Sequence, residues 1–79
     1  MTIGNGVTSI ESSTFYGCSR LTSVVFENPN GWWVSTSFTA TSGTVIPSSQ
    51  LSNPSTAATY LTSTYYYYYW KRNSMGINN

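Results

Sequence analysis

Residues 7–26 read VTSIESSTFYGCSRLTSVVF, and this stretch decides which fold the chain can adopt. A shift of 23 positions aligns residues 1–3 (MTI) with residues 24–26 (VVF), so the stretch joins two copies of one apolar segment. Its apolar positions follow neither helical spacing nor a sustained strand alternation. Short strands separated by turns fit the series, and the offset lies within the ~20–29-residue period of leucine-rich repeats. The sequence therefore predicts one coil of a repeat solenoid.

The same stretch resembles a known family of repeats. FYGCS followed by LTSV is similar to the BspA-like class of leucine-rich repeat, whose usual unit is close to VTSIGSSAFYGCSSLTSVTI and which occurs on surface proteins of bacteria and some protozoa. Glu11 stands where that family commonly has Gly, and Thr14 stands where it commonly has Ala. The resemblance implies a binding protein of the cell surface and supplies no catalytic residue.

Residues 1–27 are expected to form this repeat coil. A single coil cannot bury its own apolar face, and about three or more stacked coils are normally needed. We therefore expect the coil to be the last of a longer array, with an export signal outside this sequence. The alternative is a chain that completes its core by self-association, through the exposed coil end or through its tyrosine strand. Cys18 is predicted to be a buried apolar plug, because the chain has no His and few basic residues to stabilise a thiolate.

Residues 28–72 are predicted to form a β-rich cap that seals the end of the core. The NPNG sequence at residues 28–31 is typical of a tight turn, which predicts a hairpin between residues 21–27 and 32–39. A short strand over residues 44–46 should end at Pro47, and residues 48–52 are expected to be a loop.

The second half of the cap is expected to contain one short helix and an aromatic strand. Asn53-Pro54 is a helix start, which predicts a helix over about residues 54–63 with Ala57, Leu61 and Tyr65 on one apolar face. Residues 65–70 (YYYYYW) predict a strand that Lys71 and Arg72 should end, followed by a loose tail over 73–79. Residues 31–72 also resemble, more loosely, the module that closes BspA-like arrays. The expected fold is thus mainly β with one short helix (α+β), a solenoid coil followed by a small cap.

The composition excludes several functional classes. Of 79 residues, 26 are Ser or Thr, 6% are charged and 16% are aromatic, with a net charge of +1 and neither His nor Asp. Soluble proteins usually have about a quarter of their residues charged. So few charged residues do not favour a nucleic-acid partner. Because the chain has neither His nor Asp, the sequence also predicts no metal, cofactor or catalytic site built on those residues. The low charge favours a secreted or cell-surface protein, and no apolar run reaches the ~20 residues of a membrane span.

Four aromatic residues are the predicted contact residues for a protein or glycan: Trp33, Tyr66, Tyr68 and Trp70. Tyr and Trp side chains stack on sugar rings and dominate many protein interfaces. On a strand, Tyr66, Tyr68 and Trp70 would share one face, and Trp33 would either cover the sheet or be an exposed anchor. The competing interpretation is that all of these rings are structural. Glu11 and Glu27 are the only carboxylates, and we expect both to be solvated surface groups rather than a glycosidase pair.

The predicted function is non-enzymatic adhesion. Host, matrix or other cell-surface proteins are the expected partners, bound mainly through the wider repeat array. The alternative is a small carbohydrate-binding module that uses exposed Tyr and Trp platforms. No cofactor, metal or membrane span is expected, and the expected location is extracellular or on the cell surface.

Overall fold

The computed structural model describes residues 1–18 and 20–73, which form an α+β fold that is mainly β, as the sequence predicts. Its elements in chain order are β1 (Thr2–Ile3), β2 (Ser9–Ile10), β3 (Val25–Phe26), β4 (Gly31–Ser35), β5 (Thr44–Val45), α1 (Ser48–Leu51), α2 (Pro54–Thr59), which continues as a π-helical turn (Tyr60–Thr64), and β6 (Tyr69–Asn73). Two sheets and the helical segment pack around one core.

β1 and β3 form a parallel two-stranded sheet. Thr2 pairs with Val25 and Ile3 with Phe26, which is the 23-residue offset found in the sequence. The backbone N–H of Val25 donates to the carbonyl of Met1 at 2.9 Å, and that of Glu27 donates to the carbonyl of Ile3 at 3.0 Å. The chain between the two strands therefore makes one circuit and returns beside its own beginning.

The second sheet contains four antiparallel strands in the order β2-β6-β4-β5. β6 lies between β2, where Ile10 faces Trp70 in register, and β4, where Val34 faces Trp70. Because β2 belongs to residues 1–27 and β6 to residues 28–72, the predicted coil and the predicted cap share one sheet. The sequence pattern therefore changes near residue 27, but the two segments on either side of it contribute strands to the same sheet.

One apolar core draws on both segments. Phe26 from the coil packs edge-on against Trp32 at 5.4 Å between ring centroids and stacks with Trp70 at 6.1 Å. The buried members of this core are Ile3, Ile10, Val24, Phe26, Trp32, Val34, Ile46, Leu51, Ala57, Ala58, Leu61 and Trp70. The N–H of Val24 also donates to the carbonyl of Pro54 at 3.0 Å, so the start of α2 is tied to the coil.

The predicted hairpin between residues 21–27 and 32–39 is wrong. Residues 28–31 do turn the chain, with Asn30 N–H donating to the Asn28 side chain at 3.2 Å and Gly31 at φ 87°. The turn leads from β3 in one sheet to β4 in the other, because β3 is already paired with β1 and β4 pairs with β5 and β6. The turn residues determine that the chain changes direction here, whereas long-range contacts determine which strands β3 and β4 pair with.

The helical segment begins as predicted. The Asn53 side chain caps α2 by accepting from the backbone N–H groups of Ser55 and Thr56, and Pro54 occupies the first helical position. Ala57 and Leu61 are buried and Tyr65 is half-buried, which confirms the apolar face. The predicted loop over residues 48–52 is wrong, since α1 forms there and buries Leu51 against the core.

The predicted aromatic strand over residues 65–70 is displaced along the chain. A π-helical turn closes with Tyr65 N–H donating to the Tyr60 carbonyl at 2.8 Å, and Tyr68 N–H then donates to the Tyr65 carbonyl in a further turn. Pairing with β4 begins at Tyr69, and Lys71 lies inside β6 instead of ending it. Of the predicted tail, Asn73 ends β6 and residues 74–79 lie outside the described residues.

Cys18 also differs from its prediction, because its side chain is exposed. Residues 12–17 form consecutive turns on the surface, with Gly17 at φ 80°, and only Phe15 from this segment packs partly against the core. The turns direct Cys18 outward once Phe15 has filled the available apolar space.

Candidate functional site

A group of neighbouring tyrosine rings forms the most distinctive exposed surface among the described residues. We define the tyrosine patch as Tyr16, Tyr66, Tyr67 and Tyr68. The ring centroids of Tyr16 and Tyr66 lie 5.0 Å apart with 28° between the planes, those of Tyr66 and Tyr67 5.3 Å, and those of Tyr67 and Tyr68 4.6 Å. Tyr16 is 68% exposed and Tyr67 is 49% exposed, so two of the four rings present much of their surface to solvent.

Residues 12–17 position Tyr16 through a tight sequence of turns. Ser13 adopts φ 62° and accepts from the backbone N–H of Tyr16 at 3.1 Å. The same segment is bound to the patch itself, since Ser13 N–H donates to the Tyr66 carbonyl at 2.7 Å and the Ser12 hydroxyl donates to the Tyr67 carbonyl at 2.7 Å. Tyr16 therefore reaches the patch because backbone and side-chain hydrogen bonds hold its turn against residues 66–67.

The other side of the patch rests on the helical segment and the core. Tyr65 lies beneath it, with its ring 5.3 Å from Tyr60, 5.2 Å from Tyr68 and 6.3 Å from Trp70. The indole N–H of Trp70 donates to the Tyr65 carbonyl at 3.1 Å, and the Tyr60 hydroxyl donates to the side-chain carbonyl of Gln50. These contacts give the exposed rings a fixed apolar base.

Two phenol hydroxyls of the patch interact with each other. The Tyr67 hydroxyl donates to the Tyr68 hydroxyl at 3.5 Å. This hydrogen bond, with the nearby Tyr68 phenol, raises the pKa of Tyr67 above its ordinary value of 10.0. The raised pKa favours the neutral form of the Tyr67 phenol, and the patch offers flat apolar faces bordered by hydroxyl groups. Within residues 1–18 and 20–73, no group of three or more Cys, Asp or Glu side chains is arranged to hold a metal.

Two of the four predicted contact residues are not part of this surface. Trp33 and Trp70 are each only 1% exposed, so neither indole is accessible to a partner. Trp70 fills the core because strand β6 points it inward, opposite Val34 and Ile10. Tyr66 and Tyr68 are half-buried members of the patch. Tyr16 and Tyr67 were not among the predicted contacts, and the FYG turn offered no signal that Tyr16 would meet residue 66, fifty positions away.

Trp33 lies on the face of the four-stranded sheet that points away from the main core. Its indole N–H donates to the Asn73 side-chain carbonyl at 2.8 Å, and the Lys71 ammonium lies 5.8 Å from its ring centroid. Lys71 in turn donates to the carbonyls of Phe38 at 2.5 Å and Ala40 at 3.4 Å. Lys71 therefore holds the loop after β4 over Trp33. The sequence left two roles open for Trp33, a cover for the sheet or an exposed anchor, and its burial agrees with the first.

The side chains of Arg72 and Glu27 also have structural partners. Arg72 donates from Nε to the Asn30 carbonyl at 2.9 Å, which holds the turn between β3 and β4. Glu27 is exposed and accepts the backbone N–H of Asn5 at 2.9 Å. Glu11 is exposed as well, and its carbonyl accepts from the Thr14 hydroxyl at 2.6 Å. The two carboxylates thus lie at the surface, as the sequence predicts.

Comparison with known proteins gives no relative from which a role could be transferred. No family model matches the chain, and neither a curated protein nor a solved structure has significant similarity to it. In the part of the chain that the structure describes, no helix has the length and apolar character needed to cross a bilayer.

Proposed function

We propose that the chain is a non-enzymatic adhesion module, the closing coil and cap of a leucine-rich repeat surface protein of the BspA-like class, which binds other proteins. The observation that carries the proposal is the parallel pairing of β1 with β3 at an offset of 23 residues, one repeat period. Parallel pairing of successive coils is how a solenoid propagates. The proposal also rests on the resemblance of residues 7–26 to that family and on the low charge of the chain.

The two sheets differ in a way that suits an end module. Among the described residues, β1 pairs along one edge only, so its other edge could take a further coil. The coil's second strand, β2, is instead covered by β6 of the cap. A module of this kind would continue an array on one side and close it on the other.

The tyrosine patch is the surface through which this module would contribute to binding. Tyrosine combines a large contact area with few rotatable bonds, so it loses little conformational entropy when it becomes buried in an interface. Aromatic residues are enriched at the energetically important centres of protein interfaces. Tyr16 and Tyr67 supply the exposed area, and the contact of Tyr65 with Tyr68 links the patch to the core.

An adhesion assay tests the proposal. Beads coated with the chain would be applied to surfaces bearing collagen, fibronectin or laminin, and we expect retention on at least one of them. The double variant Tyr16→Ser/Tyr67→Ser should weaken that binding about tenfold or more, since interface hot spots contribute ~2 kcal/mol or more. Val25→Ser is the matched control, because Val25 is 46% exposed and lies on β3.

Circular dichroism would establish that each variant keeps its fold. Absence of retention on all three surfaces would contradict the adhesion proposal. Equal binding by the double variant and the Val25 control would show that the tyrosine patch is not the contact surface.

A carbohydrate-binding module is the second candidate. The observation that favours it is the pair of exposed phenol rings bordered by hydroxyls and lacking charge, since aromatic faces and neutral hydrogen-bonding groups suit sugar rings. A glycan array followed by calorimetric titration separates it from the first proposal. Sugar binding that is lost in Tyr67→Ser would favour this candidate, and no heat with any arrayed glycan would eliminate it.

A further inference from the structure

The chain has one cysteine, so it cannot form an internal disulfide, but it holds two tyrosines from distant parts of the sequence in direct contact. We propose that Tyr16 and Tyr66 form an internal dityrosine bond when a haem peroxidase and hydrogen peroxide act on the protein. The bond would join the coil segment to the cap across fifty positions of sequence. This proposal is independent of whether the module binds proteins or glycans.

The geometry of the pair suits coupling. The two rings are stacked with 28° between their planes and 5.0 Å between their centroids, so the two phenols are direct neighbours. Tyr16 is 68% exposed, which lets an oxidant reach it. The hydrogen bonds from Ser13 to the Tyr66 carbonyl and from Ser12 to the Tyr67 carbonyl keep the segment in place during the lifetime of a radical.

The reaction balances with one peroxide per bond. Each phenol loses one electron and its hydroxyl proton, which gives two phenoxyl radicals. The radicals join through the ring carbons next to the hydroxyls, and the hydrogen on each of those carbons then moves to oxygen and restores two phenols. The protein loses two hydrogen atoms in total, and hydrogen peroxide accepts the two electrons and two protons to become two molecules of water.

A second pair of rings is closer but less suited to the reaction. Tyr67 and Tyr68 are neighbours in sequence, their planes are tilted by 48°, and the Tyr67 hydroxyl donates to that of Tyr68. The phenolate loses an electron more readily than the phenol does, and this hydrogen bond raises the pKa of Tyr67 and so disfavours its phenolate. The stacked pair of Tyr16 and Tyr66 is therefore the expected site of the bond.

The consequence would be a covalent bond between a turn segment and the cap. Residues 11–18 contain no helix or strand and are bound to the cap by a few hydrogen bonds and the ring stack. A covalent bond between positions 16 and 66 restricts the unfolded chain, as a disulfide over a long loop does. The bonded protein should resist urea better than the untreated protein.

Trypsin digestion provides a sharp test. Cleavage follows Arg20, Lys71 and Arg72, so the denatured chain yields peptides 1–20 and 21–71, and Tyr16 is the only tyrosine in the first. The protein would be treated at low concentration with the peroxidase and peroxide, and the monomer would be isolated on a denaturing gel before digestion. We expect dityrosine fluorescence and a joined 1–20/21–71 species two hydrogen atoms lighter than the sum of its parts.

Phenylalanine variants keep the rings packed and remove the reactive phenols. Tyr16→Phe and Tyr66→Phe should each abolish the joined species, whereas Tyr67→Phe should leave it intact. Three results would overturn the proposal: fluorescent monomer whose two peptides separate, dityrosine found only in dimers, or a joined species that survives Tyr66→Phe. Absence of any dityrosine after complete consumption of the peroxide would also overturn it.

Discussion

The substitution Trp33→Ala tests whether the second face of the four-stranded sheet is a structural core. Trp33 is 1% exposed, lies between Val45 and Lys71 in register, and donates its indole N–H to Asn73. Truncating a buried Trp to Ala typically costs about 3–5 kcal/mol, and the lost cation–π contact with Lys71 adds ~0.5–1 kcal/mol. We expect a total loss of roughly 3–6 kcal/mol in the free energy of unfolding. Small domains have only ~5–15 kcal/mol of stability, so this loss is a large fraction of the total.

Urea denaturation followed by far-ultraviolet circular dichroism measures this loss without depending on tryptophan emission. With a slope of about 1–3 kcal/mol per molar urea, the midpoint should fall by at least ~1 M. Trp33→Phe is the matched control, because it keeps an aromatic ring under the loop and loses mainly the hydrogen bond to Asn73, which contributes about 0.5–1.5 kcal/mol. A loss below about 0.5 kcal/mol for Trp33→Ala is typical of an exposed site and would refute the buried position of this residue.

Three further substitutions test local features of the fold. Asn53→Ala removes the cap of α2 and should lower the free energy of unfolding by about 1 kcal/mol in urea denaturation, while Asn53→Asp should restore most of it. Gly43→Ala would place a Cβ against the Val34 carbonyl, so we expect a thermal midpoint several degrees lower, whereas Gly6→Ala, with open space around it, should change little. In Tyr68→Phe, the pKa of Tyr67 should return toward 10.0, as measured by NMR titration. Because a raised pKa of Tyr67 favours the neutral phenol in the folded state, this group stabilises the fold below pH 10, and the effect is lost as pH rises through the higher pKa. An unchanged Tyr67 titration in Tyr68→Phe would contradict the hydrogen bond between the two hydroxyls.

The features that the sequence predicts correctly depend on local chemistry or on repetition. Asn53 and Pro54 define a helix start because a side-chain cap and a fixed φ act within a few residues. Pro47 follows β5 for a similar reason, since it has no N–H to offer a sheet. The 23-residue offset between two similar segments was visible in the sequence, and the structure shows that these segments pair as β1 and β3.

The features that the sequence predicts wrongly depend on contacts between distant segments. β2 and β6 are separated by about sixty positions, and no local pattern indicates that Ile10 should pair with Trp70. The pairing of β6 with β2 and β4 determines where β6 begins. As a result, the run of five tyrosines lies partly in turns and partly in the strand. Lys71 was expected to end a strand. It lies inside β6 instead, where its ammonium group donates to the loop carbonyls of Phe38 and Ala40.

The candidate site illustrates the same limit. The aromatic run at residues 65–70 indicated a contact surface, yet the exposed tyrosine rings are Tyr16 and Tyr67, and the two tryptophans predicted as contacts, Trp33 and Trp70, are buried. The prediction assigned the tyrosine rings to two faces by the alternation of a strand. In the structure, the π-helical turn and the turns after it determine where these rings point. Tyr16 joins the patch only because the coil folds back over residues 66–67.

The central claim of the proposed function is that residues 1–27 are one repeat coil, in which β3 lies beside β1 at an offset of 23 residues. Engineered cysteines test it directly in a Cys18→Ser background, since Thr2 and Val25 are exposed register partners. Neighbouring strands lie ~4.8 Å apart, and disulfides form at Cα separations of about 4.4–6.8 Å. Thr2→Cys/Val25→Cys should therefore oxidise readily to an internal disulfide, measured as loss of free thiol in the monomer. Thr2→Cys/Ser23→Cys, two positions out of register at ~8 Å, should stay reduced under the same conditions. Equal or faster oxidation of the Ser23 pair, or a Val25 pair that stays reduced, would contradict the coil.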